Sequence, residues 1–101
     1  MHARETVALV LMKSEEADAT VAVVQEHVPH VSVNDRGTYW YFEAEKEIPI
    51  DLNLVSQELG REISLSEWLV VMSSYVGRVE TQPDLFRVTS EMSQLDPESS
   101  R

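Results

Sequence analysis

Apolar positions along the chain change period several times, and each change predicts an element. Residues 7–12, VALVLM, form a continuous apolar run of strand length, apolar on both faces, so both of its sides need cover. Helical spacing follows. Ala17, Val21, Val24 and Val28 make a stripe behind Ser14, a candidate N-cap, with Glu15, Glu16 and Asp18 at the positive end of the helix dipole. Pro29 closes this helix by pushing the residue before it out of helical geometry. Val31 and Val33 then alternate with polar residues, and the turn NDRG at 34–37 leads into an aromatic strand over residues 38–43. A further strand over residues 46–50 places Pro49 at an edge or a strand end.

In the second half, Asp51 is placed to cap a short helix with Leu52, Val55 and Leu59 inward, and Gly60 to end it in the left-handed region. Ser64 and Glu67 have the spacing of a capping box, followed by Leu65, Trp68, Leu69 and Met72 at helical intervals. Ser73 and Ser74 interrupt that pattern. Two strands, residues 75–80 and 85–90, flank TQPD, a turn built on Pro83 and Asp84. The order strand, helix, hairpin, two helices, hairpin predicts an α+β fold, a mixed α/β arrangement in one domain. Residues 1–6 are expected to be a short N-terminal extension, 7–92 the domain, and 93–101 a flexible tail with little to bury.

Composition narrows the function classes. A chain of 101 residues with 43 % apolar content has enough for one core and not for two domains. Its 18 acidic and 8 basic residues give a formal charge of −10, which repels phosphate backbones and anionic membranes, so nucleic acid and membrane are excluded as partners. Solubility is the plainer role of that charge; a basic groove on a protein partner is compatible with it. With zero cysteines there are no disulfides, no thiolate catalysis and no cysteine metal sites. No apolar run approaches the roughly 20 residues that span a bilayer, and MHARET lacks a signal-peptide pattern, so a soluble cytoplasmic protein is expected.

Candidate chemistry is sparse. The three glycines, Gly37, Gly60 and Gly77, are too scattered for a phosphate loop. No Glu has a His three residues later, the spacing of diiron bundle helices. His27 and His30 beside Glu26 are split by Pro29, which fits a surface loop better than a metal site. Ser73 and Ser74 lack a neighbouring base and read as a cap or a contact surface. Glu43, Glu45 and Glu47 alternate as on one exposed strand face, where solvated charge is the expected state.

What stands out is apolar surface. In TYWYFE, Tyr39 and Tyr41 point to one side of a strand and Trp40 and Phe42 to the other. One side packs on the core; the other meets a helix or a partner. Ala8 and Val10, opposite Val7, Leu9 and Leu11 on the first strand, pose the same choice.

Collinear segments carry a family resemblance. TVALVLMKSEE, VNDRGTYWY, SQELGR, SSYVGR and TSEMSQLD, spanning residues 6–96, resemble in order the folded core of the regulatory (coupling or effector) component of soluble methane monooxygenase and its relatives. The resemblance implies a cofactor-free, non-catalytic protein that binds a diiron hydroxylase, works alongside a reductase and is monomeric when free. It would tune oxygen activation, substrate entry and coupling of electron use to oxidation. Carried over by position, it implies a hydroxylase interface of Ala8, Val10, Val31, Trp40, Val71, Ser73, Ser74 and Tyr75, with the last stretch controlling access to the buried site.

Two departures bear on the substrate. The methane component has a long N-terminal arm, against six residues before Val7 here, and Tyr75 is bulky where that protein has a small hydroxyl residue. Both favour a relative that oxidises alkenes or other short hydrocarbons over methane itself, with phenol or toluene hydroxylation as a more distant option. The other classes left open are a small independent enzyme and a non-catalytic adaptor or homo-oligomeric structural module.

Overall fold

The structure, a computed structural model, describes residues 6–90. Residues 1–5 of the extension expected at 1–6 and the tail expected at 93–101 lie outside the described residues, while Thr6, expected in the extension, opens the first strand. Strand β1 (Thr6–Met12) is followed by helix α1 (Glu15–His27), β2 (Ser32–Asp35), β3 (Tyr39–Glu45) and β4 (Glu47–Asp51). Then come α2 (Leu52–Leu59), α3 (Leu65–Leu69), β5 (Met72–Val76), β6 (Arg78–Gln82) and β7 (Leu85–Thr89). All strand pairings are antiparallel, in two sheets: β2-β3-β1-β5, called sheet A, and β4-β7-β6, called sheet B. This is the expected α+β class.

Local signals behave as chemistry dictates. The Ser14 hydroxyl accepts from the Ala17 N–H at 3.0 Å to start α1, and Val28 caps its end just before Pro29. Asp51 Oδ1 accepts from the N–H groups of Asn53 and Leu54, and Gly60 ends α2 at φ 80°. Ser64 and Glu67 close the capping box in both directions, at 3.2 and 2.9 Å. Pro49 sits in β4, an edge strand, where its missing N–H interrupts no ladder between strands.

Register sorts the side chains of sheet A into two faces. Val7, Leu9 and Leu11 stand opposite Ala44, Phe42 and Trp40, and Leu9, Leu11 and Phe42 are 0 % exposed. α1 covers this inner face: Ala17, Thr20, Val21 and Val24 are buried in the same core, and Asp18 bonds the Trp40 indole. The helix is buried on a wider arc than its predicted stripe, because Ala19 and Val23 are also covered where α1 meets α2. Trp68 of α3, 0 % exposed, stacks at 4.8 Å and 45° on Phe86 of β7 and ties sheet B into the same core.

Three expectations are corrected. The strand drawn over residues 75–80 is two strands in two sheets: β5 pairs with β1, β6 pairs with β7, and Gly77, at φ 134°, turns the chain between them. A Cβ there would lie 2.7 Å from the Thr89 carbonyl oxygen and 2.8 Å from Val88 Cγ1, so no other residue fits. Met72, expected on the helix, opens β5 because α3 ends at Leu69. Likewise Glu43, Glu45 and Glu47 do not share a strand face. Lys46, at φ 79°, ends sheet A's β3, and Glu47 starts β4 in sheet B, where Arg87 bridges it at 3.3 Å and also bonds Glu80. The chain therefore steps directly from sheet A to sheet B twice, at Lys46 and Gly77, each time through one residue of positive φ, and returns from β4 to β5 through α2 and α3.

Candidate functional site

The outer face of sheet A has no described element over it. On this face Ala8 and Val10 of β1 stand opposite Val76 and Ser74 of β5, and opposite Glu43 and Tyr41 of β3. Exposure rises along β1, from Ala8 at 6 % through half-buried Val10 to Met12 at 45 %. Val76 is 61 % exposed and Val70, just before β5, 81 %. Apolar side chains this open are unusual beside a 0 % exposed core; Met12 and Val76 lie on this face by register, and Val70 lies just ahead of β5. Arg36 lies over the Tyr41 ring at 4.8 Å from its centroid, and Glu43 and Glu45 are carboxylates of this face.

β5 forms the sheet edge beside this face. The Val71 carbonyl accepts from the Met12 N–H at 2.9 Å and anchors the strand's start. The register slips at Val10/Leu11, so Ser73 is the extra residue of a β-bulge. Ser73, Ser74 and Tyr75 are all exposed. Tyr75 falls opposite Leu9 by register, yet 45 % of it is open because it lies at the sheet margin.

Of the eight residues named from the resemblance, the structure brings Ala8, Val10, Val71, Ser73, Ser74 and Tyr75 together along β1 and β5. Trp40 and Val31 lie elsewhere. Trp40 is on the inner side, opposite Leu11, half-buried against α1. Val31 precedes β2 and is 6 % exposed, within the core. Met12, Val70 and Val76 were not singled out from sequence. Met12 could have been, since it follows Ala8 and Val10 in the alternation of β1.

No catalytic grouping among the described residues competes with this surface. Among the described residues no three His, Cys, Asp or Glu converge in a way that could hold a metal ion. A depression of about 560 Å³ between α2, α3 and the β6–β7 turn is lined by Asn53, Ser64, Glu67 and Asp84, with no base beside the serine hydroxyl, which is committed to the capping box. His30 Nε2 lies 3.0 Å from the Glu47 carbonyl oxygen, and His27 lies beside Glu26 on the surface. No described helix is long and apolar enough to cross a membrane.

An open apolar sheet face with a polar, bulged edge is the most distinctive surface of the described residues. Residues 5–89 match the MmoB/DmpM family, and the chain belongs to that family. It is 36 % identical to methane monooxygenase regulatory protein B of Methylococcus capsulatus (strain Bath), over 95 % of this chain and 72 % of that protein. Identity to the protein of the same name from Methylosinus trichosporium is 35 %, over 95 % and 73 %. The solved soluble methane monooxygenase regulatory protein B superposes with TM-score 0.71 at 34 % identity, covering 100 % of this chain and 76 % of that one. The fold is shared with a chain of a phenol hydroxylase–regulatory protein complex, at TM-score 0.75 and 23 % identity, over 83 % and 97 %. This protein is thus a monooxygenase regulatory component, not an enzyme.

Proposed function

We propose that this protein binds a diiron hydroxylase through the open face of sheet A and the β5 edge, and thereby controls oxygen activation, substrate access and coupling in a multicomponent hydrocarbon monooxygenase. The observation that carries the reading is the apolar strip of Val10, Met12, Val76 and Val70 on a chain of formal charge −10. Such a strip is stable in water only at some cost, and burying it against a partner recovers about 25 cal/mol for each Å² covered. Val71, Ser73, Ser74 and Tyr75 extend it along the edge, and Ala8 lies within it; Trp40 and Val31, which the resemblance also assigns to the interface, lie off this face, and Trp40, half-buried at the end of β3, would make a separate contact. A standard interface takes about 800 Å² from each partner.

A ligand without catalytic groups changes an enzyme's activity only by binding one of its conformations more tightly than another. Tyr75, bulky and exposed beside Ser73 and Ser74, would shape the route to the hydroxylase's buried site, which favours alkenes or short alkanes as substrates. The protein would work in the cytoplasm beside a reductase, without a cofactor of its own, and as a monomer when free. The names of the relatives and the hydroxylase complex in the phenol system support the partner class.

The test is a titration of this protein into purified hydroxylase and reductase, following product formed per NADH consumed. A rise to saturation, with no turnover by the small protein alone, is expected. A flat response with hydroxylases of both the methane and phenol systems and with an alkene-oxidising one would sink the reading.

A further inference from the structure

We propose that Asp18 and Lys13 are positioning residues that hold Trp40 in the orientation it presents to a hydroxylase, an inference that rests on the docking reading above. Three elements converge on this indole. From α1, Asp18 Oδ1 accepts the Trp40 Nε1–H at 3.1 Å. From the end of β1, Lys13 Nζ stands 4.5 Å from the ring centroid. From β2, Asp35, the cross-strand neighbour of Trp40, holds that ammonium at 2.8 Å and is itself pinned by the Gly37 N–H at 2.9 Å.

These contacts fix two independent directions. A carboxylate on the indole N–H sets the ring's in-plane axis, and a cation over its face sets the ring normal. Trp68, 0 % exposed, is held by core packing as well as by its hydrogen bond, whereas Trp40 is only half-buried against the core. An aromatic anchor left to sample rotamers loses that freedom when it docks, which weakens binding; holding it beforehand removes the loss. Neither Asp18 nor Lys13 needs to touch the partner. Both are exposed, Asp18 in the first turn of α1, so either can be replaced without opening the core.

The variants are Asp18→Ala, which removes the acceptor, and Asp18→Asn, which keeps an amide oxygen in its place. The two tryptophans give two indole N–H resonances in the free, ¹⁵N-labelled protein. Asp18→Ala is expected to shift and broaden the Trp40 resonance and leave that of Trp68 in place. Affinity for the purified hydroxylase of the methane or phenol system should fall roughly three- to tenfold. Asp18→Asn should restore both readouts, and Asp18→Ala should add nothing in a Trp40→Ala background. An unmoved Trp40 resonance in Asp18→Ala overturns the proposal, as does an equal loss of affinity in the Trp40→Ala background. A mobile indole with full affinity, where Trp40→Ala binds weakly, overturns the positioning role alone. Full affinity of Trp40→Ala removes Trp40 from the docking surface and the positioning role with it.

Discussion

The indole N–H of Trp68 donates to the hydroxyl of Thr20 across 3.0 Å, and that hydroxyl donates in turn to the Glu16 carbonyl at 2.7 Å. Both side chains are 0 % exposed, so α1 and α3 are joined by a buried polar contact whose every member is satisfied. Thr20→Val keeps the shape and removes the acceptor. It should cost about 1–3 kcal/mol, the penalty for an unpaired buried donor, while Thr20→Ser keeps the hydroxyl and loses about 1 kcal/mol for the missing methyl. Urea denaturation with an unchanged slope reads the difference; equal midpoints for the two variants would contradict it.

The two direct steps from sheet A to sheet B should respond differently. Gly77→Ala meets the Thr89 carbonyl, Val88 and Val7 within 3.0 Å and should destabilise by about 3 kcal/mol. Lys46→Gly relieves a left-handed backbone while its carbonyl still accepts from the Ser90 N–H, and should change stability by less than about 1 kcal/mol. Thermal melts of the pair provide the comparison, and a tolerated Gly77→Ala would mean the crossover is looser than described.

Acid reaches the Lys13–Asp35 contact late. The hydrogen bond from the Lys13 ammonium, then that from the Gly37 N–H, hold the Asp35 carboxyl below the usual carboxylate range. A depressed folded value means its contribution is complete above the unfolded value and lost only as pH falls through the folded one. The contact should thus stay intact through neutral and mildly acidic pH. A carboxyl-carbon NMR titration should place Asp35 lower in the native protein than in Lys13→Met; coincident curves would deny Lys13 its part.

Charge on the open face should separate docking from folding. Val76 is 61 % exposed, so Val76→Lys should leave stability within about 0.5 kcal/mol. Desolvating that ammonium in an apolar contact should weaken hydroxylase binding roughly tenfold or more. Retained affinity by calorimetry would move the interface off β5.

Ser73 and Ser74, exposed on the bulged edge, should act on selectivity more than on affinity. Replacing both with valine is expected to alter product ratios or the substrate size range at saturating regulatory protein. Identical ratios across a substrate series would count against an access role.

Legibility in the sequence followed distance along the chain. Caps at Ser14, Asp51 and Ser64, the stop at Gly60 and the hairpin turn at Asp35–Gly37 depend on neighbours a few residues away, and spacing alone located them. The break at Gly77 was harder, because what turns the chain there is crowding by Val7 and Thr89 from distant strands. Lys46 gives no signal at all, since nothing in a lysine announces a positive φ. For the site, alternation sorted Trp40 from Tyr41, but which face would stay open depended on where α1 came to rest. Met12, Val70 and Val76 became visible only then.

The placement of β1 inside sheet A, between β3 and β5, has a consequence for synthesis. A chain leaving the ribosome presents VALVLM first, and its partner Met72–Val76 near the end. Until that late segment emerges, β1 can pair only with β3 and offers a bare hydrogen-bonding edge to any other nascent chain. The strand carrying Ser73 and Ser74 is therefore also the one that seals the sheet. Polypeptides cut short before Met72 should aggregate, and refolding should be paced by this long-range closure rather than by the helices.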